Sequence, residues 1–166
     1  FDWKTGKQRW IFHTIPQPGE YGYDTWPEGA FRISGGANAW AGVTVDPALG
    51  IVFAATGSAS FDFYGTTRQG DNLFSDCVLA LDARTGKDKW SMPREEVTSW
   101  NTPIVVDAAG RTQVIVNGTT RSRSYDIASG DVIWECGGQT TNAIASPVVF
   151  DDLAICMSGF RGNAVF

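Results

Sequence analysis

The chain has 166 residues, 43% of them hydrophobic and 19% charged, with a net charge of −5. That composition excludes a disordered chain and supplies one core of modest size, and the acidic balance excludes a nucleic-acid partner, which needs clustered Lys and Arg. No run of about 18 apolar residues is present, so this stretch contains no transmembrane segment, and no signal peptide is recognisable.

Nineteen Gly, seven Trp and ten Phe stand among Val- and Ile-rich runs, the pattern of short strands joined by tight turns. Strands are predicted at 8–13, 41–46, 51–57, 76–82, 88–92, 103–107, 112–117, 121–126, 132–136, 147–150 and 153–158. Three of the turns share one pattern. Asp2-x-x-Thr5-Gly6-x-x-x-Trp10 recurs at Asp82 to Trp90 and at Asp126 to Trp134, with Ser129 in place of Thr. In each the Asp accepts backbone hydrogen bonds, the Gly takes positive φ, and the returning strand carries a Trp that anchors neighbouring units.

A second marker keeps step with the first. Thr102-Pro103 and Ser146-Pro147 each stand 13 residues after a Trp, which makes the unit 44 residues long. That is the length of a four-stranded β-propeller blade. The interval from Trp10 to Trp90 is longer, and the surplus falls in two insertions, within 14–38 and within 59–74. Strands in a blade alternate in direction, so both insertions belong to one face of the disc, where long loops carry function. The expectation is a single all-β propeller fragment: 1–13 the end of a blade, 14–92 a blade with two insertions, 93–136 a second blade and 137–166 part of a third. About two complete blades and parts of two others cannot close a ring, so both ends read as cut, and association with the rest of a propeller or with itself is expected.

Three residues fall at strand ends on the loop-rich face. Trp40 and Asn101 occupy equivalent positions, each two residues before an aligned first-strand position, Gly42 in one blade and Pro103 in the next, and Ser58 ends a second strand. Trp40, within Gly35-Gly36-Ala37-Asn38-Ala39-Trp40, reads either as an aromatic floor for a planar ring or as inter-blade packing. Ser58 reads as a site residue or a turn hydroxyl, and Asn101 as a site residue or a cap on the incoming backbone. His13, without a nucleophile partner, reads as loop packing. Asp62, Asp71 and Asp76 could gather at a cation, although their spacing is not that of an EF-hand. Glu95-Glu96 reads as a solvated turn, and Arg121 with Arg123 as a solvated strand face. Cys77, Cys136 and Cys156 lack metal-like spacing and read as small buried hydrophobes, with one pair open to bridging.

The segments Phe12-His13-Thr14-Ile15-Pro16-x-Pro18-Gly19-Glu20, Asp24-Thr25-Trp26, Gly36 to Trp40, Asp62-Phe63-Tyr64-Gly65 and Gly70-Asp71-Asn72-Leu73-Phe74 resemble the pyrroloquinoline quinone (PQQ)-dependent glucose and alcohol dehydrogenases over residues 1–90. Residues 98–166, with Ser99-Trp100-Asn101-Thr102-Pro103 and Val114-Ile115-Val116-Asn117-Gly118, are more similar to PQQ-like β-propeller repeat proteins. The first resemblance implies a quinoprotein propeller holding PQQ stacked on Trp40, with a calcium ion for which Ser58 occupies the position of an Asn ligand. It places Asn101 where the family carries an Asp base. An amide has no basic site near neutral pH, so the family mechanism is expected to be impaired. The implied function is a fragment of a periplasmic or secreted dehydrogenase that oxidises a small alcohol or sugar with PQQ and Ca2+, which the fragment alone is not expected to bind. The alternative is a non-catalytic propeller serving as a binding or assembly scaffold.

Overall fold

The computed structural model describes residues 1–61, 64–97, 99–159, 162 and 164–165. Two four-stranded antiparallel sheets follow each other along the chain, the first from β1 (Val43–Asp46), β2 (Ile51–Ala55), β3 (Cys77–Asp82) and β4 (Asp88–Pro93). The second contains β5 (Ile104–Ala108), β6 (Arg111–Val116), β7 (Arg121–Asp126) and β8 (Val132–Gly137). Strand order equals chain order in both, the up-and-down topology of propeller blades. A hairpin of β9 (Val148–Phe150) and β10 (Leu153–Ile155) opens a third, and β11 (Met157–Ser158) pairs with β12 (Ala164–Val165). The fold is thus an all-β partial propeller. Among the described residues no helix is long and apolar enough to cross a membrane.

Burial on both faces of the central strands explains their sequence. In β3 every residue from Cys77 to Leu81 is buried, and alternate side chains enter different cores. Val78 and Ala80 join Ile51 and Phe53 against Val114, Val116, Tyr125 and Ile127 of the second blade. Cys77, Leu79 and Leu81 turn the other way and pack with Ala54 and Phe74, flanked by Phe12 and Leu73. All three cysteines are free; burial pushes the Cys77 thiol up to about 12, so it is an inert packing group.

The repeated turn does what its residues dictate. Asp82 Oδ1 accepts the N–H groups of Arg84 and Thr85 at 3.0 and 2.9 Å, and Asp126 Oδ1 those of Ala128 and Ser129 at 2.9 and 3.0 Å. The Gly at the fourth following position is left-handed in each, φ 70° at Gly86 and 80° at Gly130. Onto that glycine the Trp of the preceding unit lies. Trp10 Nε1 donates to Ala83 O and Trp90 Nε1 to Ile127 O, each at 3.0 Å. Hydrogen bonds from the Thr85 backbone and side chain hold the Asp82 carboxyl below its ordinary range, and those from Ser129 and Ala128 do the same for Asp126. Depressed folded values mean that the stabilisation is complete above about pH 4 and is lost as the pH falls through them. An acid titration of Asp126→Asn should therefore lose stability less steeply below that pH than the parent chain; an identical slope would refute this account of the turn.

The Thr-Pro and Ser-Pro markers stitch consecutive first strands together. Thr102 Oγ1 donates to Ala41 O of the preceding blade, while Thr102 N–H donates to Ser146 Oγ of the following one at 3.0 Å.

Two strand expectations are corrected. Residues 8–13 form no strand: among the described residues no neighbouring strand offers them a ladder, and they are held by Trp10 on the 82–86 turn and by Phe12 against Phe74, ring centroids 4.8 Å apart. The strand expected over 153–158 is interrupted at Cys156, beyond which the Met157 carbonyl accepts from Asn117 Nδ2 of the neighbouring blade at 2.9 Å.

The two insertions form one cap. The first contains 3-10 turns at Tyr23–Thr25 and Ala30–Arg32. Trp26 donates Nε1 to Leu73 O, Asn72 N–H donates to Thr25 O at 3.0 Å, and Trp26, Ala30, Ala37 and Ala59 share a small core. His13, between Glu20 at 2.8 Å and Gln17 at 3.1 Å, ties down the start of this loop, as its lack of a nucleophile partner suggested.

Candidate functional site

Where the two insertions meet the first blade, backbone pairing exposes an aromatic side chain. Ala37 N–H donates to Ser58 O at 2.9 Å, Ser60 N–H to Gly35 O at 2.9 Å and Gly57 N–H to Asn38 O at 3.2 Å. Gly36 is required in the middle of this zipper, because it is left-handed and a Cβ on it would lie 2.7 Å from both Ser58 O and Ser60 N. The paired segments leave Trp40 at the edge, 76% exposed. They frame a cleft of about 280 Å³ lined by Gly36, Asn38, Trp40, Gly57, Ser58, Ser60 and Trp100.

Trp40 and Ser58 are thus brought together, and Asn101 is not in the lining. Asn101 is 2% exposed: its Oδ1 accepts from Asn117 N–H at 3.0 Å and its Nδ2 donates to Asn117 O. Asn117 is a hub in turn, donating from Nδ2 to Ala145 O at 3.0 Å and to Met157 O, and accepting on Oδ1 from Ser122 Oγ at 2.7 Å. The two equivalent positions differ in what closes the second strand: register makes Thr56 the counterpart of Asn117, and Thr56 N–H bonds Cys77 O of β3 at 2.9 Å, whereas Asn117 N–H bonds the Asn101 side chain.

Ser58 has a carboxylate beneath it. Its hydroxyl lies 3.3 Å from both Asp76 oxygens. Burial raises the Asp76 carboxyl above its ordinary range, against the opposing charge of Arg94 and the Ser58 hydrogen bond. The three-carboxylate cation site does not assemble from what can be described: Asp62 lies outside the described residues, Asp71 is exposed, and Asp76 is bonded to Ser58. Among the described residues no three His, Cys, Asp or Glu converge for a metal, so these side chains do not by themselves fit a calcium ion. A planar ring fits better. A Cβ on Gly57 would meet no atom within 4 Å, so the space over that glycine is open.

Two surface readings are corrected. The Glu96 side chain is 1% exposed and paired with Arg123 at 3.1 Å, and Arg123, 13% exposed, also reaches Glu135 at 3.2 Å. Glu96 accepts the Thr120 N–H as well. The Glu95-Glu96 turn and the 121–123 strand face look solvated in sequence because the linker that folds Glu96 onto β7 is a tertiary event. Arg121 conforms better to expectation, half-exposed beside Glu135. A larger groove of about 440 Å³ lies between the second blade and the β9–β10 hairpin, among Val106, Gln113, Trp134, Val149 and Leu153; it brings strand faces together and none of the site candidates.

Sequence reasoning missed Trp100, Asn38 and Ser60 as lining residues. Trp100 had a signal, being an aromatic beside Asn101 on the loop-rich face, and Asn38 had one in the Gly35–Trp40 stretch that contains it; Ser60 had none apart from the zipper that only pairing reveals.

The β-propeller domain model of glucose/ethanol/alcohol dehydrogenases of the PQQ type matches residues 1–102. The quinate/shikimate dehydrogenase (quinone) of Acinetobacter baylyi is 40% identical over 91 residues, which cover 54% of this chain and 11% of that protein. The dehydrogenase subunit of alcohol dehydrogenase (quinone) from Komagataeibacter europaeus is 30% identical over 138 residues, 73% of this chain and 18% of that protein. The chain therefore spans less than a fifth of the length of either relative. Among solved structures, quinohemoprotein alcohol dehydrogenase ADHIIG from Pseudomonas putida HK5 superposes with a TM-score of 0.66 at 24% identity, over 80% of this chain and 23% of that one. A europium-containing methanol dehydrogenase gives 0.61 at 23% identity, over 75% and 23%. At those identities the structural likeness shows the fold.

Proposed function

The chain belongs to the PQQ glucose/ethanol/alcohol dehydrogenase β-propeller family, and on that premise we propose that it is the cofactor-facing part of a longer propeller that oxidises a small alcohol or sugar outside the cytoplasm. The observation that carries this reading is Trp40, an indole held out of every core at the rim of a cleft on the loop-rich face. PQQ, when bound, supplies the two-electron acceptor. The chain's own residues stack it and orient it: Trp40 offers a flat apolar face, and the Gly57 backbone leaves room for a ring to approach. Ser58 directs its proton to Asp76 and turns oxygen lone pairs to the cleft, where they accept from a hydroxyl. Asn101 serves the blade rather than the reaction, closing β6 through Asn117.

The binding or assembly scaffold is the second reading, and Asn101 favours it: an amide with both polar atoms spent on backbone cannot act as base. Full-length protein supplied with PQQ and Ca2+ decides between the two. Dye reduction with ethanol, glycerol or glucose is expected, together with quinone absorbance that stays with the protein. Neither signal with any alcohol or sugar would overturn the dehydrogenase reading.

A further inference from the structure

Seven Trp residues allow a comparison within the molecule. Trp10, Trp26, Trp90 and Trp134 each donate Nε1 to a protein acceptor, and Trp3 lies under the Lys4 ammonium. Among the described residues, Trp40 and Trp100 are the two whose ring and Nε1–H meet no partner of these kinds, and both line the same cleft. These two indoles are gathered in one cleft rather than scattered singly over the surface, and gathered exposed aromatic area with free donors at its edge marks a binding surface.

Trp100 comes to the cleft by a different route from the rest of the lining. The other six residues belong to the first blade and its insertions, while Trp100 sits on the linker to the second blade. Its main-chain N–H donates to Ala143 O at 2.9 Å, on the loop leading to β9. Ser99 and Asn101 on either side are 8% and 2% exposed, so the backbone is pinned while the indole remains half-buried at the cleft.

We infer that Trp100 is a second ligand-contacting wall, making the cleft a two-tryptophan seat shared between blades for a planar ring that carries carbonyl or carboxylate oxygens. The inference rests on the functional reading above, with Trp40 as the first wall. The lining side chains suit such a ligand: two indole N–H groups and the Asn38 amide are donors available to oxygens at the ring edge, and Ser60 adds a hydroxyl. An aromatic contact of this kind is worth about tenfold in affinity.

The test is equilibrium binding of PQQ to full-length protein, followed by dialysis and by quenching of Trp fluorescence. Trp100→Ala should raise the dissociation constant by about tenfold, and Trp100→Phe, which keeps a flat ring, should stay within about threefold of the parent. Trp100→Ala with native circular dichroism and unchanged affinity, alongside Trp40→Ala that loses binding, would overturn the second wall and leave the functional reading standing. If the parent protein binds no PQQ, or Trp40→Ala has no effect, the functional reading fails and this inference with it. Should Trp100→Ala not fold, Trp100→Leu provides the same contrast with Trp100→Phe, since it keeps apolar volume and removes the ring.

Discussion

Replacing Asn101 by Asp is expected to lower stability by about 2–4 kcal/mol at neutral pH and to bring no gain in dehydrogenase activity. The carboxylate would be isosteric with the amide, and the family resemblance alone would recommend it as a restored base. The surroundings oppose it. One amide atom accepts the Asn117 N–H and the other donates to the Asn117 carbonyl, so an Asp would set an anionic oxygen against a carbonyl oxygen at a position 2% exposed. The damage would spread, because the Asn117 side chain ties the second blade to Ala145 and Met157. Denaturant unfolding of the two proteins measures the difference. A midpoint equal to the parent's, or a gain of alcohol-dependent dye reduction, would show that the Asn101 side chain is not committed to Asn117.

Gly130→Ala should cost about 2–4 kcal/mol, against about 1 kcal/mol for Gly110→Ala. The two glycines share a left-handed backbone, φ 80° and 76°, so strain from an added Cβ is nearly the same. They differ in what the methyl would meet. At Gly110 there is no atom within 4 Å, whereas at Gly130 the Trp90 ring begins at 2.7 Å. Trp90 is held between Phe53 and Tyr125 with its Nε1–H on Ile127 O, so the ring cannot move aside without opening the interface between blades. Equal losses at the two positions in thermal or denaturant unfolding would mean that the glycine is kept for φ alone.

How much could be read beforehand differs from residue to residue. The Asp-x-x-Thr/Ser-Gly turn was legible because all its bonds are local: the Asp side chain reaches two and three residues ahead, and the glycine follows it immediately. The docking of Trp10 and Trp90 was legible as a consequence of the same repeat. Trp40 was legible as a candidate through its position before β1 and through resemblance. Asn101 was given the same position by the repeat, yet its environment is opposite, since Asn117 N–H turns to the Asn101 side chain where its counterpart Thr56 N–H bonds Cys77 O on β3. Glu96 and Arg123, read as solvated, form a part-buried pair whose partners stand 27 residues apart.

What the sequence by itself determined was the periodic part of the molecule: all-β blades of 44 residues, their turns, and the single face that carries both insertions. These follow from residue type and spacing, through steric preferences and hydrogen bonds that span a few residues. Only the tertiary structure decided that the insertions pair as one cap, that Trp40 and Trp100 come to one cleft while Asn101 turns into the blade, and that Asp76 stands under Ser58. Those outcomes depend on which polar groups of distant segments satisfy one another once water is excluded, a competition that no local pattern records.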